Sequence, residues 1–372
     1  MTSTSAIVTT AALTGYALAE NKALATLPLG MQFVAVMIAT LPASLLMKKI
    51  GRREGFTLGL LIGLLGAGLA VIAIFNSDFV LFSAASFFIG TFNGFAQYYR
   101  FAAADAASES FKSRAISLVM AGGVVASVGP LLATTSKDVL PNNMFAGVYV
   151  LVSILYLLSI FTLRFVSIPK PTEEERKSGG RPIIQIVRQP MFIIAVLGGV
   201  VGYMLMSLLM SSIPLAMSSC GLSFFDTAQV IQWHVFAMFA PAFFTGHLIR
   251  RFGAQKIMTI GALLLGICVA VNLASNNLEN FWIGGMLLGI GWCFLFIGGT
   301  TLVTETYSLA EKAKTQAAND FLVFGSVACA ALLSGVFHEL IGWELMNYAA
   351  VPFLIIVIFA LFVMRTRSMA SA

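Results

Sequence analysis

The 372-residue chain is 59% hydrophobic and only 10% charged, whereas roughly 25% of the residues in soluble domains are charged. This composition excludes an ordinary soluble protein. The net charge of +6 does not indicate nucleic-acid binding, because the basic residues occur in short clusters that long apolar runs separate. Four scattered cysteines without a CxxC pair indicate neither a disulfide framework nor a zinc site.

The apolar runs approach the ~20 residues that an α-helix needs to cross a ~30 Å hydrocarbon core. We therefore predict an all-α membrane protein with twelve transmembrane helices. In chain order, the predicted spans are 2–19, 24–47, 55–75, 79–103, 115–135, 144–166, 191–213, 227–249, 257–275, 281–303, 316–337 and 347–364.

The basic residues support this count, because loops on the cytoplasmic side of a membrane carry an excess of Lys and Arg. With twelve spans, every Lys and Arg except Lys22 and Lys137 falls on one side. With a wrong number of spans, the Lys and Arg residues would be distributed over both sides of the membrane. We therefore predict that this basic-loop side is cytoplasmic and that both termini lie on it.

The longest polar stretch lies between the sixth and seventh predicted spans. It predicts an N-terminal six-helix bundle over 1–166, a cytoplasmic linker over 167–190 and a C-terminal six-helix bundle over 191–372. An exposed linker is the main interpretation, and a membrane-surface helix over 183–188 is the alternative for its second part.

Two loops repeat at equivalent places in the predicted bundles. The loop SLLMKKIG (44–51) aligns with GHLIRRFG (246–253), and each has two basic residues, an apolar residue and then glycine. In the same way DAASESFKSRA (105–115) aligns with ETYSLAEKAKT (305–315). Parallel repeats related by an axis along the membrane normal are a known transporter architecture.

The two basic loops resemble the motif G-x-x-x-D-R/K-x-G-R/K-R/K of the major facilitator superfamily (MFS). GGVVASVGP (122–130) partly matches the family's fifth-helix motif. The resemblance covers the whole chain and implies the MFS fold, with two pseudo-symmetric six-helix bundles. It also implies a secondary active transporter that moves a small organic solute, with or without a coupling proton, by alternating access between the two halves.

The resemblance further implies a multi-pass protein of the bacterial inner membrane that functions as a monomer. Its expected partners are the solute and the lipid bilayer, with no nucleic acid and no cofactor. Enzymatic activity is not expected, because the sequence has no HExxH motif, no pair of catalytic carboxylates at mid-membrane depth and no nucleotide loop.

Two alternative functions stay open at this point. The first is a proton-coupled drug or metabolite efflux antiporter. The family's Gly-Pro-Gly-Gly pattern is incomplete here, because Gly129-Pro130 is followed by Leu131-Leu132, and this disfavours such an exporter. The second is a transporter-like membrane receptor or scaffold without flux, which would not need a hydrated cavity.

According to the resemblance, helices 1, 4, 7 and 10 line a central cavity. In the fourth helix Asn93, Gln97 and Arg100 fall within about 60° of one another around the helix axis. Two amides and an arginine would be costly against lipid, so this face is predicted to line a hydrated cavity. The alternative for Arg100 is an interfacial side chain beside Tyr98 and Tyr99.

Hydroxyl and aromatic side chains provide the candidates in the other three helices. Such a cavity suits an amphipathic solute that is anionic or aromatic. Aromatic stripes also arise from packing alone, and the small residues Gly198, Gly202, Gly285 and Gly289 are predicted helix-packing notches. The candidate binding residues are Thr14 in helix 1, Tyr203 and Ser207 in helix 7, and Trp292, Phe296 and Thr300 in helix 10.

The two loop motifs imply gating residues, but a base replaces the motif's acid in each half, at Lys48 and Arg250. We therefore predict that Lys48 or Lys49 pairs with Asp320, near the predicted start of the eleventh helix. The alternative is that Asp320 is a helix-start charge facing water. The full set of gating candidates in the loops is Lys48, Lys49, Gly51, Arg52, Arg250, Arg251 and Gly253.

His234 is the candidate proton carrier, because no Asp or Glu occupies the middle of any predicted span. An ionisable group inside a membrane is a functional candidate, and histidine changes protonation near neutral pH. Asp320 is the next candidate. Alternatively His234 is a neutral side chain hydrogen-bonded between helices, and a uniporter or a symporter of a charged solute needs neither residue.

Overall fold

The computed structural model describes residues 1–99, 102, 119, 122–141, 143–168, 180–308 and 311–370. Over these ranges the chain is helical and has no β-strand. The helices are α1 Thr2–Leu18, α2 Leu27–Ile50, α3 Arg52–Phe75, α4 Phe79–Ala96, α5 Gly122–Ser136, α6 Ala146–Leu163, a linker helix Ile183–Val187, α7 Pro190–Ser219, α8a Phe224–Phe239, α8b Ala242–Phe252, α9 Ala254–Ala274, α10 Leu278–Thr304, α11 312–341 and α12 343–370.

Helical segments lie at each of the twelve predicted positions. Eight helical stretches within the described ranges are long and apolar enough to cross a membrane. The predicted all-α membrane fold is therefore confirmed, and the observed helices are consistent with twelve crossings.

Several helix boundaries differ from the prediction for local reasons. A 3₁₀ turn at Lys22–Leu24 precedes α2, so α2 begins at Leu27 rather than 24. The eighth span is interrupted at Pro241, which has no N–H to donate to a helix. The eleventh begins at Lys312, and Gly342, with φ of 73°, separates it from the twelfth.

Buried apolar side chains form two large clusters. One contains residues of the first six helices, including Phe56, Phe82 and Tyr149. The other is built mainly from α7 to α12 and includes Leu205 and Met258. Each cluster gives its group of helices an interior of its own, which is what the predicted division into two bundles requires, although the exact bundle boundaries stay a prediction.

The aligned loops have the same backbone conformation. Gly51 joins α2 to α3 with φ of 98° and ψ of 157°, and Gly253 joins α8b to α9 with φ of 85° and ψ of 148°. Glycine adopts such positive φ values without the steric cost that a Cβ brings. The glycine of each loop motif therefore makes the turn between two spans.

The two halves also repeat a close crossing of helices. A Cβ on Gly90 of α4 would lie 2.2 Å from the backbone oxygen of Gln32 in α2. A Cβ on Gly289 of α10 would lie 2.7 Å from the backbone oxygen of His234 in α8a. When the loop 44–51 is aligned with 246–253, Gln32 coincides with His234, so the two crossings are equivalent.

Gly198, Gly202 and Gly285 also meet neighbouring helices, so the prediction of packing notches holds for them as well. An added Cβ would lie 2.2 Å from Met258, 2.9 Å from Leu295 and 3.3 Å from Val230, respectively. Small residues of this kind let membrane helices approach each other closely.

The end of the predicted linker is fastened to the loop between α10 and α11 through Glu311. The carboxylate accepts hydrogen bonds from Nε and Nη2 of Arg181, both at 2.8 Å, and from the backbone N–H groups of Arg181 (2.7 Å) and Ser308 (3.0 Å). The Arg181 guanidinium and these N–H groups hold the pKa of Glu311 well below its usual range. The carboxylate therefore stays ionised at neutral pH, and we call this contact the linker clamp.

The crossing of α8a and α10 leads to a stability prediction. Gly289→Ala places a methyl group against the His234 backbone, and such overpacking typically lowers the free energy of unfolding by ~1–3 kcal/mol. A lower melting temperature in detergent is expected. Gly266→Ala in α9 is the matched control, because an added Cβ there meets no heavy atom of the described residues within 4 Å, and alanine favours helix. Equal melting temperatures for the two variants would contradict the contact.

Candidate functional site

Five aromatic side chains from four helices meet inside the C-terminal half, and we call them the aromatic group. Tyr203 of α7 lies at its centre, with ring centroids 5.3 Å from Trp292, 5.4 Å from Phe296 and 5.7 Å from Phe324. Trp292 stacks on Phe296 at 5.1 Å with an interplanar angle of 11°. Phe239 of α8a completes the group, 6.1 Å from Trp292.

Close packing of α10 on α7 places these rings together. A Cβ on Gly299 would lie 2.6 Å from the backbone oxygen of Ala195, so the two helices touch at backbone level one turn from Phe296. Tyr203 and Phe296 are half-buried, whereas Trp292 and Phe324 are only 4% and 3% exposed. The aromatic group therefore has a buried back and a partly accessible front.

The two other candidates of helices 7 and 10 lie apart from the rings. Ser207 is buried, and its hydroxyl lies 3.5 Å from the backbone oxygen of Val327 in α11. Thr300 is exposed, one turn beyond Phe296. Phe239 and Phe324 were not predicted, because only helices 1, 4, 7 and 10 were considered.

In the N-terminal half, Asn93 meets a residue that the sequence analysis did not single out. The Thr4 hydroxyl of α1 donates a hydrogen bond to Asn93 Oδ1 at 3.2 Å, and both side chains are half-buried. Gln97 follows the last turn of α4 and is also half-buried. Arg100 lies outside the described residues.

Thr14 faces the interior of the N-terminal half. It is buried, its hydroxyl donates to the backbone oxygen of Thr10 at 2.9 Å, and it lies beside the phenol of Tyr149 in α6. The face of α1 that carries Thr10 and Thr14 therefore packs on α6. The predicted contact of Thr14 with a solute stays a prediction.

His234 bridges two helices at the crossing of α8a and α10. It is 1% exposed, and its Nδ1 lies 2.7 Å from the backbone oxygen of Gly285. A carbonyl oxygen only accepts, so Nδ1 carries a proton. Among the described residues, Nε2 has no hydrogen-bond partner. This arrangement matches the neutral interhelical role given as the alternative, and the role of proton carrier stays a prediction.

Asp320 lies in the third turn of α11 rather than at its start, because the helix begins at Lys312. It is half-buried, and its Oδ1 accepts a hydrogen bond from Asn319 Nδ2 at 3.1 Å. Lys49 is exposed, and the side chain of Lys48 lies outside the part of the chain that the structure describes. The pairing of Asp320 with either lysine therefore stays a prediction.

The basic residues of the two loop motifs lie at helix ends. Arg52 and Arg53 open α3, and Nη2 of Arg53 donates to the backbone oxygen of Arg164 at the end of α6, at 2.7 Å. Arg250 and Arg251 occupy the last turn of α8b and are exposed, where positive charge interacts favourably with the helix dipole. Their gating role is not tested by this geometry.

The two halves touch on the side opposite the basic loops. The backbone N–H of Gly335 in α11 donates to the buried Thr26 hydroxyl at the start of α2, at 2.8 Å. The rings of Phe145 and Phe224, which precede α6 and begin α8a, lie 5.4 Å apart. These contacts close that side of the molecule.

Contact between the halves continues towards mid-depth. A Cβ on Gly123 of α5 would lie 2.6 Å from the ring of Phe239, and one on Gly325 of α11 would lie 3.3 Å from Met37 Sδ of α2. The aromatic group therefore reaches the N-terminal half through Phe239.

The Major Facilitator Superfamily model matches this chain over residues 1–270 and 203–371. The chain belongs to the major facilitator superfamily. The MFS chain is similar to the riboflavin transporter RfnT of Brucella anthropi, with 39% identity over 369 residues, which are 98% of this chain and 92% of RfnT.

Two further similarities agree with this family. The uncharacterized MFS-type transporter YdeG of Bacillus subtilis is 29% identical over 348 residues, which cover 88% of this chain and 80% of YdeG. The crystal structure of the human organic anion transporter MFSD10 (TETRAN) has a TM-score of 0.69 at 15% identity and covers 97% of this chain and 96% of that one. Because its sequence identity is low, the similarity to MFSD10 supports the MFS fold alone.

These findings confirm the predicted family and a membrane-embedded, multi-pass transporter of small solutes. The names of the family and of the relatives point to a transporter rather than an enzyme. The bacterial inner membrane, the cytoplasmic termini, the coupling proton and the monomeric state stay predictions.

The contacts on the closed side lead to a prediction about opening of this MFS protein. Thr26→Val keeps the shape of the side chain but removes the hydroxyl that accepts from the Gly335 N–H, and loss of such a hydrogen bond typically costs ~0.5–1.5 kcal/mol. The closed side is expected to open more often. Alkylation of a cysteine introduced at the buried Leu215, in a background with the exposed Cys220 and Cys329 both changed to Ser, measures this opening.

Thr57→Val in α3 is the control for the Thr26 substitution, because within the described ranges the Thr57 hydroxyl bonds inside its own helix, to the backbone oxygen of Arg53. The labelling rate should rise for Thr26→Val and stay at the parental value for Thr57→Val. Equal rates in all three proteins would show that the Thr26 contact does not hold this side closed.

Proposed function

We propose that this MFS protein is a secondary transporter of a planar heteroaromatic solute of the riboflavin type, which it moves by alternating access. The aromatic group is the observation that carries the proposal, because four helices bring five rings to one partly accessible place. The 39% sequence identity to the riboflavin transporter RfnT, which extends over 92% of RfnT, supports the same solute class.

The chemistry of riboflavin fits both sides of the candidate cavity. Its isoalloxazine is a flat aromatic ring system, and aromatic side chains interact favourably with such rings in stacked or edge-on arrangements. Its ribityl chain is a polyol that needs hydrogen-bonding partners. Thr4, Asn93 and Gln97 of the N-terminal half supply hydroxyl and amide groups for it. This assignment agrees with the amphipathic, aromatic solute expected from the sequence.

The contacts between the halves support one state of the transport cycle. They lie on the side opposite the basic loops, for example between Thr26 and Gly335. With the basic loops in the cytoplasm, these contacts lie on the outer side, as they would in an inward-facing conformation. The solute would then reach the front of the aromatic group from the cytoplasm.

Transport and binding of riboflavin by purified protein in liposomes test this proposal. Tyr203→Leu removes the ring that contacts three others, and each aromatic pair contributes ~0.5–1.5 kcal/mol beyond its buried area. The apparent affinity is therefore expected to fall about tenfold, which corresponds to ~1.4 kcal/mol. Phe161→Leu is the matched control, because Phe161 is 62% exposed on α6, far from the aromatic group in sequence.

Two results would contradict the proposal. One is an absence of riboflavin binding and transport by folded parental protein. The other is an equal affinity of the Tyr203→Leu and Phe161→Leu variants. Binding without flux would favour the receptor alternative, and accumulation of riboflavin inside inverted vesicles, driven by an outward-directed proton gradient, would favour the efflux antiporter.

A second prediction concerns the coupling proton. His234→Asn keeps an N–H close to the position of Nδ1, facing Gly285, but removes a group that can change protonation. If His234 carries the coupling proton, the variant should bind and exchange riboflavin but lose accumulation driven by a pH gradient. His247→Asn is the control, because His247 is exposed. Gradient-driven accumulation at the parental level by His234→Asn would exclude this role.

A further inference from the structure

We propose that Trp292 selects the solute through its indole N–H, which donates a hydrogen bond to a carbonyl oxygen on the rim of the bound ring system. This inference rests on the proposed function and deepens it. Stacking side chains accept any flat ring, whereas a directed donor distinguishes rings by the acceptors on their edge.

The Trp292 N–H is a buried donor that the described part of the chain leaves unpaired. The side chain is 4% exposed, and its Nε1 finds no hydrogen-bond acceptor among the described residues. An indole nitrogen can only donate, and a buried donor that remains unpaired is rare and costs free energy. A solute that supplies an acceptor would remove this cost, so the free N–H favours solutes that carry one.

The surroundings of Trp292 explain why the protein leaves this donor free. Phe296 covers one face of the indole, and Tyr203 and Phe239 approach it nearly edge-on, with interplanar angles of 73° and 75°. The two phenylalanine rings carry no conventional acceptor, and the Tyr203 hydroxyl, which could accept, is not bonded to the Trp292 Nε1. The polar edge of Trp292 is thus set among rings that would hold a flat solute.

The internal repeat gives independent support for a cavity-facing position. Gly289 of α10 is equivalent to Gly90 of α4, because each touches the backbone of the aligned helix partner, at His234 and Gln32. Trp292 and Asn93 follow these glycines by the same three residues. Asn93 is half-buried and bonded to Thr4 of α1, on the face predicted to line the cavity. Trp292 is therefore its counterpart in the other half.

The flavin ring system has chemistry that matches this arrangement. One end is an apolar dimethylbenzene, and the other carries two carbonyl oxygens, at C2 and C4. A donor at Trp292 would bind the carbonyl end and so fix the direction in which the ring enters the aromatic group. The ribityl chain, attached at the central ring, would then be free to meet the N-terminal half.

Riboflavin binding to the full-length protein, followed by flavin fluorescence, tests the inference with Trp292→Phe. This change keeps an aromatic ring and removes the N–H, so the Kd is expected to rise about five- to tenfold, as for loss of one hydrogen bond. Trp343→Phe is the matched control. Trp343 is 7% exposed and its Nε1 also lacks a partner among the described residues, but it packs on Phe281, away from the aromatic group.

Flavins with a thiocarbonyl at C2 or C4 provide a readout that a structural defect would not mimic. Sulfur accepts hydrogen bonds more weakly than oxygen. The parental protein should therefore bind one of the two analogues several-fold more weakly than riboflavin, whereas Trp292→Phe should bind that analogue and riboflavin equally. Equal penalties for each analogue in the parental protein and the variant would overturn the inference.

A second substitution keeps the test decisive if Trp292→Phe does not fold. Benzothienylalanine at position 292 replaces the N–H by sulfur and keeps the size of the indole, so it should reproduce the rise in Kd. An unchanged Kd in this protein would also overturn the inference. The proposed function would still stand if the parental protein transported riboflavin, and would fail separately if it did not bind riboflavin at all.

Discussion

Helix α10 touches α8a and α7 at backbone level, through Gly289 and Gly299. Lipid tails are as apolar as the side chains, so moving an apolar side chain from lipid into a helix interface gains little free energy. Membrane helices therefore associate largely through close van der Waals contact. Trp292 and Phe296 lie between the two glycines on the same helix. Their position against Tyr203 therefore depends on both contacts, and a larger residue at either glycine would move the rings apart.

Much of the fold could be predicted because the membrane restricts it. Backbone polar groups must be satisfied inside lipid, so a long apolar run has few options besides a helix, and the distribution of Lys and Arg orders the loops. The repeat of the basic loops could also be read directly, and Gly51 and Gly253 adopt nearly the same backbone angles. The grouping of Tyr203, Trp292 and Phe296 followed from helical spacing together with the family resemblance.

Other features depend on tertiary packing, which one sequence does not specify. Phe239 and Phe324 join the aromatic group from helices that were not expected to contribute, because the rotation of each helix about its axis is set by its neighbours. For the same reason the packing of Thr14 beside Tyr149 of α6 could not be predicted from the helical spacing. The interruption at Pro241 was visible as a residue, but its effect on the eighth helix was not anticipated.

The linker clamp changes which part of the linker acts as a tether. Because Arg181 and Glu311 hold the end of the linker on the C-terminal half, the chain that connects the halves spans at most from Ile168 to Gly180. A chain of that length reaches at most about 40 Å when fully extended. A covalent connection of this length limits how far the two halves can separate, whatever its conformation. The N-terminal half can therefore rock without drifting away, and re-formation of the contacts at Thr26 is in effect an intramolecular step.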